Sequence, residues 1–294
     1  MDVRRGDHHD QDFVQSRRVG DAVISVISEG SFWWAPRFAV PEAAWREAMP
    51  DADATGQIPI DCNLVHISLG AASVVVDPGF DDPDSTWGRA FGARWSGFKR
   101  TPGLHAALTG LGVHADDITH VLITHTHEDH FAGVVAERNG QLVPRFPRAR
   151  YYVADADWLN HPRRGDPAAE IARRLGVLEA HGLLHTVHGE HEIAPGVTMV
   201  PAPGETPGHS AVRVRSGGQA FYYVGDLFHH PCEVAHPDWV SPGRDAAIMR
   251  ASRERLSREA TDSHALVVFS HERFPAWGRI VKTDGGYRWE RAGW

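Results

Sequence analysis

The stretch VLITHTHEDHFAG, residues 121–133, places four ionisable side chains directly behind a run of strand-forming residues. They are His125, His127, Asp129 and His130. The apolar, partly β-branched run predicts a buried strand. A tight turn after it would let His125 and His127 point into one site, while Asp129 and His130 begin the following helix. Imidazole and carboxylate groups at this spacing suit a borderline divalent cation such as zinc.

Three later features place further metal-binding side chains beside predicted strands. His209 lies in GETPGHS, where a Pro-Gly turn precedes a strand, Asp226 ends FYYVGD, and His271 ends LVVFSH. Together with the opening stretch they make five histidines and two aspartates. This set fits two ions, with three histidines on one, an aspartate and two histidines on the other, and one carboxylate bridging both.

The composition is typical of a soluble globular protein. Of the 294 residues, 42% are hydrophobic and 23% are charged, and the formal net charge is −8 without a block of Lys or Arg. These values argue against disorder and against a nucleic-acid partner. Neither a signal peptide nor an apolar run long enough to span a membrane occurs, and only Cys62 and Cys232 are present. We therefore expect a cytoplasmic protein without a membrane partner.

The chain shows no repeat or linker, so we expect an N-terminal extension, residues 1–20, and one domain, residues 21–294. Clusters of β-branched residues predict strands within 21–30, 62–79 (two strands), 118–124, 149–154, 197–202, 211–216, 219–225 and 265–270. Apolar periodicity and charge spacing predict helices within 101–113, 167–182 and 244–260. Clusters of strands separated by helices imply sheets that are covered by helices on their outer faces.

The motif His-x-His-x-Asp-His, followed by separate His, Asp and His positions, resembles that of the metallo-β-lactamase superfamily. The likeness runs from NLVHISLGAASVVVDPGF to FSHERF. It implies an α/β fold, an αβ/βα sandwich of two mixed sheets flanked by helices, with a dinuclear site at one edge. The implied ligands are His125, His127 and His209 for the first ion, Asp129, His130 and His271 for the second, and Asp226 as the bridge.

Within the superfamily, several branches can be compared on single residues. His127 argues against flavodiiron proteins, which normally carry glutamate there, and Asp226 argues against true β-lactamases, which lack this bridge. Glyoxalase II enzymes share all seven ligands. The stretches GDLFHHP, HPDW and SHERFP most resemble the branch of N-acyl homoserine lactonases and methyl parathion hydrolase. The lactonases carry Tyr three residues after the bridging Asp, where this chain has His229.

The sequence thus predicts a hydrolase in which two divalent ions, zinc first and iron, manganese or cobalt as alternatives, hold a hydroxide nucleophile. We expect a small-molecule substrate, a lactone, an ester or a phosphotriester. Catalytic roles fall to Asp129 and Asp226 and, as a proton donor, to His229. Three alternatives stay open: a glyoxalase II-like thioester hydrolase, a mono-iron enzyme resembling persulfide dioxygenases, and a non-catalytic binding module.

Other features receive plainer interpretations. His181, His185, His188 and His191 lack convergent spacing and are expected to be exposed. Cys232 is expected to be a buried, inert thiol. Residues 32–34, Phe-Trp-Trp, fit a substrate pocket, an oligomer interface or plain core packing, and a homodimer is left open. Neither G-x-S-x-G nor a phosphate-binding glycine loop occurs, so serine-hydrolase and nucleotide-dependent functions lack support.

Overall fold

The computed structural model describes residues 12–94 and 97–293. Within them, one large sheet has the strand order β1-β2-β3-β4-β6-β9-β10, and β5 pairs with β2. Its strands are β1 Val14–Val19, β2 Ala22–Trp34, β3 Ile58–Leu69, β4 Ala72–Val76, β5 Lys99–Arg100, β6 His120–Leu122, β9 Arg150–Ala154 and β10 Leu184–Val187. The first four strands are antiparallel neighbours, whereas β4, β6, β9 and β10 run parallel.

A second sheet has the order β11-β12-β13-β14-β15-β16-β17. Its strands are β11 His191–Ala194, β12 Val197–Pro201, β13 Ser210–Ser216, β14 Gln219–Tyr223, β15 Leu266–Val268, β16 Gly278–Thr283 and β17 Gly286–Arg291. Only β14 and β15 are parallel neighbours among these described strands. A separate hairpin joins β7 Val135–Arg138 to β8 Gln141–Pro144.

The α-helices lie between and after these strands. They are α1 Glu42–Ala48, α2 Thr86–Arg94, α3 Gly103–Gly110, α4 Glu128–Phe131, α5 Asp155–Trp158, α6 Glu170–Ala180, α7 Cys232–Ala235 and α8 Ala246–Asp262. Short 3₁₀ turns occur at Ala115–Asp117, Ala132–Val134 and Gly225–Leu227. The longest helix, α8, begins where the Asp245 side chain accepts a hydrogen bond from Ile248 N, as expected of an aspartate N-cap.

Three apolar layers of the core define the sandwich. Between the sheets, side chains such as Ile67 and Val74 pack with Val212 and Phe221. The outer face of the first sheet packs against α3 and α6, and the outer face of the second packs against α8. Each sheet is therefore buried on both faces, and the predicted αβ/βα sandwich is the observed architecture.

Part of the predicted N-terminal extension is a strand of the first sheet. Val14–Val19 lies inside the predicted extension, yet it forms β1 and pairs with β2 from Val14↔Ile27 to Val19↔Ala22. Val14 and Val19 are buried, because the strand covers the edge of the first sheet with apolar side chains. Residues 1–11 of the predicted extension lie outside the described residues.

Candidate metal centre

The opening motif lies where the first sheet ends. Strand β6 stops at Leu122, and Thr124 then donates its backbone N–H and its hydroxyl to Asp77, at 2.7 Å each. His127 occupies the N-cap position of α4, so Asp129 and His130 fall in its first turns, as predicted. The imidazoles of His125 and His127 converge, with Nε2 of the first 2.9 Å from Nδ1 of the second.

Four histidines have their outward nitrogen occupied by a neighbouring oxygen. Nδ1 of His125 contacts Thr124 Oγ1 at 3.1 Å, and Nδ1 of His130 contacts Asp77 Oδ2 at 2.8 Å. Nδ1 of His209 contacts the Ala202 carbonyl and Nδ1 of His271 contacts the Asp61 carbonyl, at 2.9 Å each. Such partners set the tautomer and the orientation of a ligating imidazole. Nε2 of each ring therefore faces Asp226 and the other predicted ligands.

Asp226 stands at the centre of the cluster. Its Oδ1 lies 3.1 Å from His130 Nε2 and 3.3 Å from His271 Nε2, and its Oδ2 lies 3.6 Å from His125 Nε2. Asp129 approaches the same two rings, with Oδ2 3.4 Å from His271 Nε2 and 3.6 Å from His130 Nε2. One carboxylate thus touches both halves of the predicted ligand set.

The residues present fit divalent cations. Nε2 of His130 and Oδ1 of Asp226 are buried, and neither makes a hydrogen bond to any described residue. A buried polar atom without a partner is costly, and two facing each other in a cluster of nitrogens and carboxylate oxygens are a normal ligand arrangement for a cation. The donor atoms form two overlapping groups that share Asp226, one with His125, His127 and Glu205 and one with His130 and His271.

The pKa values in the cluster are shifted by burial and by the close approach of its imidazoles and carboxylates. Burial raises the pKa of Asp226, but the surrounding histidines outweigh it and hold that pKa well below its usual value. Burial lowers the pKa values of His125 and His209, which favours the neutral form that a ligand needs. For His130 and His271, burial is outweighed by the neighbouring carboxylates, and the pKa is raised. A bound cation would replace those protons, which is the usual coupling of metal binding to proton release.

Glycine is required beside His209. Gly225 has φ of +53°, and a Cβ built there would lie 2.7 Å from Nε2 of His209 and 3.0 Å from Thr124 Oγ1. Only glycine combines this backbone conformation with that proximity. The VGD turn therefore brings Asp226 against the histidines by close backbone approach.

Glu205 is a site residue that the sequence reasoning missed. Its carboxylate is buried, with Oε1 3.4 Å from His127 Nδ1, and it forms an ion pair with Arg244. Burial raises its pKa, but His229 and Arg244 outweigh this and lower it. The available signal was its position four residues before His209 in GETPGHS.

His209 itself lies beside His125, with ring centroids 5.1 Å apart, and its Nε2 accepts a hydrogen bond from Asp226 N at 3.1 Å.

His229 is held against the cluster by stacking and by buried charges. Its ring lies between those of Trp34 and His271, with centroid distances of 5.5 Å to each. Nε2 lies 3.4 Å from Asp226 Oδ2, and the backbone N–H donates to Glu233 at 2.7 Å. Burial lowers the pKa of His229, but the Asp226 carboxylate outweighs it and the pKa rises to about 9.

Two of the clefts beside the cluster share Phe32. The larger, of about 450 Å³, is lined by Phe32, Trp33, Trp34, Ala35, Arg37, His229, Ser241, Pro242 and Arg244. The smaller, of about 100 Å³, is lined by Phe32, Phe80, Phe91, Arg94, Phe98, Glu128 and Asp129. Of the three interpretations for residues 32–34, the structure places them along the larger cleft, although Trp33 is still 49% exposed.

The histidines of 181–191 and both cysteines also have clear positions. His181, His185, His188 and His191 are exposed, as predicted. Cys62 and Cys232 are free and buried, and burial raises the pKa of both thiols, to about 11 for Cys62. Cys232 is thus the inert thiol expected, whereas Cys62 lies beside His271 and Asp129.

The fold and this cluster agree with a family match. The metallo-beta-lactamase superfamily matches residues 56–271, and the chain belongs to that superfamily. The predicted family and fold class are thereby confirmed.

Particular relatives resemble the chain only at low identity. A probable metallo-hydrolase of Mycobacterium tuberculosis is 27% identical over 177 residues, which cover 55% of this chain and 53% of that protein. An N-acyl homoserine lactonase of Bacillus thuringiensis is 21% identical over 165 residues, which cover 56% of this chain and 60% of the lactonase. The alignments thus span little more than half the length of these relatives.

Solved structures share the fold over almost the whole chain. The dizinc quorum-quenching lactonase AidC, in complex with a product, superimposes with a TM-score of 0.77 at 24% identity and covers 96% of this chain and 98% of its own. A hydrolase described as AbOPH in the beta lactamase superfamily has a TM-score of 0.78 at 19% identity, and the match covers 96% of this chain and 98% of that hydrolase.

Among the described helices, none combines the length and apolarity needed to cross a membrane.

Proposed function

We propose that the protein is a dinuclear metal-dependent hydrolase of lactones and esters. N-acyl homoserine lactones are the leading substrate class, phosphotriesters are the second, and zinc is the proposed metal. One observation carries the proposal: Asp226 lies between the two donor groups, and its buried Oδ1 faces the equally buried Nε2 of His130 without a hydrogen bond. Buried carboxylate and imidazole atoms in this arrangement are expected to share cations.

The proposed ligands are those predicted from the sequence, with Glu205 beside them. His125, His127 and His209 would hold one ion, Asp129, His130 and His271 the other, and Asp226 both. When bound, two divalent cations lower the pKa of coordinated solvent and polarise a carbonyl or phosphoryl oxygen. The protein residues orient these groups: Asp77 fixes the His130 ring, and the Asp61 carbonyl fixes the His271 ring.

The two clefts support a substrate with an apolar and a polar part. Phe80, Phe91 and Phe98 form an apolar wall next to Asp129, suited to an acyl chain. The larger cleft carries Arg37, Arg244 and Ser241, which suit a polar head group. The ester or lactone bond would then lie near Phe32, between the two clefts and beside the ligand cluster.

His229 is proposed to donate a proton to the leaving group. It lines the larger cleft, and Trp34 and His271 stack on its two faces, so its ring has little freedom to rotate. A fixed imidazole beside the departing oxygen is well placed for general-acid catalysis. Lactonases of the resembling branch carry Tyr at this position, so the donor here would differ in reach and in pKa.

The direct test is a hydrolysis screen combined with metal quantification. Metal-free protein would be reconstituted with zinc and assayed on N-acyl homoserine lactones of graded chain length, aryl esters, thioesters and phosphotriesters. We expect about two ions per chain, by the ligand count of a two-metal site, and the highest kcat/KM on a lactone or ester. Hydrolysis in oxygen-18 water in a single turnover should place the label in the product.

Other outcomes would replace the proposal. A clear preference for thioesters would favour a glyoxalase II-like activity. One iron per chain with oxygen uptake would favour the persulfide dioxygenase-like alternative, and no metal uptake from supplemented medium would favour a binding module. A covalent acyl-enzyme at Ser210 or Cys232 would exclude solvent as the nucleophile.

A further inference from the structure

The cluster continues past the predicted ligands to a thiol. Cys62 Sγ, a carboxylate oxygen of Asp129 and a ring nitrogen of His271 all lie within 4.8 Å of one another. This group shares His271 with the group formed by His130, Asp226 and His271. Since Nδ1 of His271 is occupied by the Asp61 carbonyl, the nitrogen available to both groups is Nε2.

The backbone of β3 positions this thiol. The two residues that flank Cys62 hold the loop that carries His271. The Asp61 carbonyl accepts from the His271 ring, and Asn63 donates its side-chain amide to the Ser270 and Glu272 carbonyls at 3.0 and 2.6 Å. Cys62 lies between them and is buried. Its side chain therefore has little freedom to leave the site.

A small cavity lies on the Cys62 side of the cluster. It measures about 10 Å³, and its lining includes Cys62, Asp129, His130 and His271, so it is suited to a single ion. Glu29 also lines it, but its two oxygens already accept backbone N–H groups of Leu104 and Phe80, at 2.6 and 3.3 Å. Asn63 lines the cavity too, but it is Cys62 whose donor atom is grouped with those of Asp129 and His271, so Cys62 is an additional donor on this side.

We infer that Cys62 is an additional ligand of the second metal ion, beside Asp129, His130 and His271. Coordination forms a sulfur–metal bond and releases the thiol proton to solvent. A thiolate donor favours zinc or cobalt(II) over magnesium or manganese. The inference rests on the proposed dinuclear site, and it adds a reason for zinc as the proposed metal.

Cobalt(II) substitution tests this ligand directly. Metal-free protein would be titrated with cobalt(II), and the near-ultraviolet thiolate-to-cobalt charge-transfer band would be recorded. We expect the band in the wild type and in Cys232→Ser, the matched buried cysteine, and its loss in Cys62→Ser and Cys62→Ala. Competition with a chromophoric chelator should show that affinity for the second ion falls by about 10-fold or more in both Cys62 variants.

The outcomes separate this inference from the proposed function. Two bound cobalt ions without the band, or with a band that survives in Cys62→Ser, would overturn the thiolate ligand and leave the dinuclear site intact. One bound ion with a band that is lost in Cys62→Ser would support the ligand and overturn the dinuclear site. One bound ion without the band would overturn both the thiolate ligand and the dinuclear site. The absence of the band in the wild type gives this result without any variant that has to fold.

Discussion

At the scale of single residues, Asp226 is the carboxylate that links the two donor groups of the cluster. It contacts the rings of His125, His130, His229 and His271, which approach from both sides of the cluster. Neutralising Asp226 would remove the main cause of the raised pKa values of His130 and His271. It would also remove the carboxylate that the two donor groups share, one with His125, His127 and Glu205 and one with His130 and His271.

We therefore expect Asp226→Asn to lose the second ion or to bind it much more weakly. Activity should fall by about 10²-fold or more, the usual effect of removing one strong electrostatic group from an active site. Elemental analysis and kcat/KM would be measured on the same preparation. Asp262→Asn, at the exposed end of α8, serves as control. Full activity with one ion per chain would contradict the dinuclear proposal.

His229 gives a second prediction, because a general acid matters most where the leaving group is poor. His229→Ala should lower kcat by roughly 10²-fold or more for substrates with alkoxide leaving groups, and much less for activated aryl esters or phosphotriesters. Metal content must be equal in the compared samples, and His230→Ala is the neighbouring control. A uniform loss across leaving groups of graded pKa, or no loss, would reject the proton-donor role.

At the scale of elements, the site depends on turns that follow strands of both sheets. His125 to His130 follow β6 of the first sheet, whereas Asp226 and His271 follow β14 and β15 of the second. Hydrogen bonds hold the two sheets together here: Tyr223 donates its hydroxyl to the Asn63 carbonyl at 2.8 Å. The geometry of the cluster is thus set by how the sheets pack.

The VGD turn is the element most sensitive to an added methyl group. Gly225→Ala and Gly218→Ala both place alanine at positive φ, but a Cβ at Gly218 meets no atom within 4 Å. Gly218→Ala should therefore cost only the backbone term, about 1 kcal/mol of unfolding free energy. Gly225→Ala should cost a further 1–3 kcal/mol or so through overpacking against His209, and it should weaken metal binding.

Chemical denaturation of both variants, with and without zinc, would measure these terms. Equal losses in the two variants, with unchanged metal affinity in Gly225→Ala, would show that His209 tolerates displacement.

At the scale of the whole molecule, the bound ions would connect the two halves of the sandwich. Proposed ligands come from loops of both sheets, so cation binding to the folded chain stabilises it by mass action. At a free zinc concentration of about 1,000 times Kd, the gain is about 4 kcal/mol, or roughly 10 °C in melting temperature for a chain of this size.

Removal of metal should therefore lower the melting temperature of the wild type by about this amount. Scanning calorimetry before and after chelation would measure it, and readdition of zinc should restore the original value. The change should be clearly smaller in Asp226→Asn. A melting temperature unaffected by chelation in the wild type would mean that no ion links the sheets.

The sequence by itself determined the family and the sandwich class, because its His-x-His-x-Asp-His motif and the later His, Asp and His resemble those of the superfamily. It determined core strands such as Val74–Val76 because these are local runs of apolar residues. Strands at the sheet edges, or next to them, were not predictable in this way. The strands β1, β16 and β17 are rich in charged residues, and they form because a neighbouring strand supplies the hydrogen bonds.

Only the tertiary structure decided the surroundings of the predicted ligands. The spacing of the motif residues matches that of the superfamily, so His125 to His130 and Asp226 could be predicted as candidate ligands from the sequence. Asp77 and Cys62 carry no local signal, and Glu205 has only its position four residues before His209. Each of the three meets the cluster only because a distant segment packs against it. Cys62 meets His271 across 209 residues of chain because the Asp61 carbonyl and the Asn63 amide hold the end of β15 against β3. Hydrogen bonds and burial between such distant segments are properties of the packed sheets, and no local pattern encodes them.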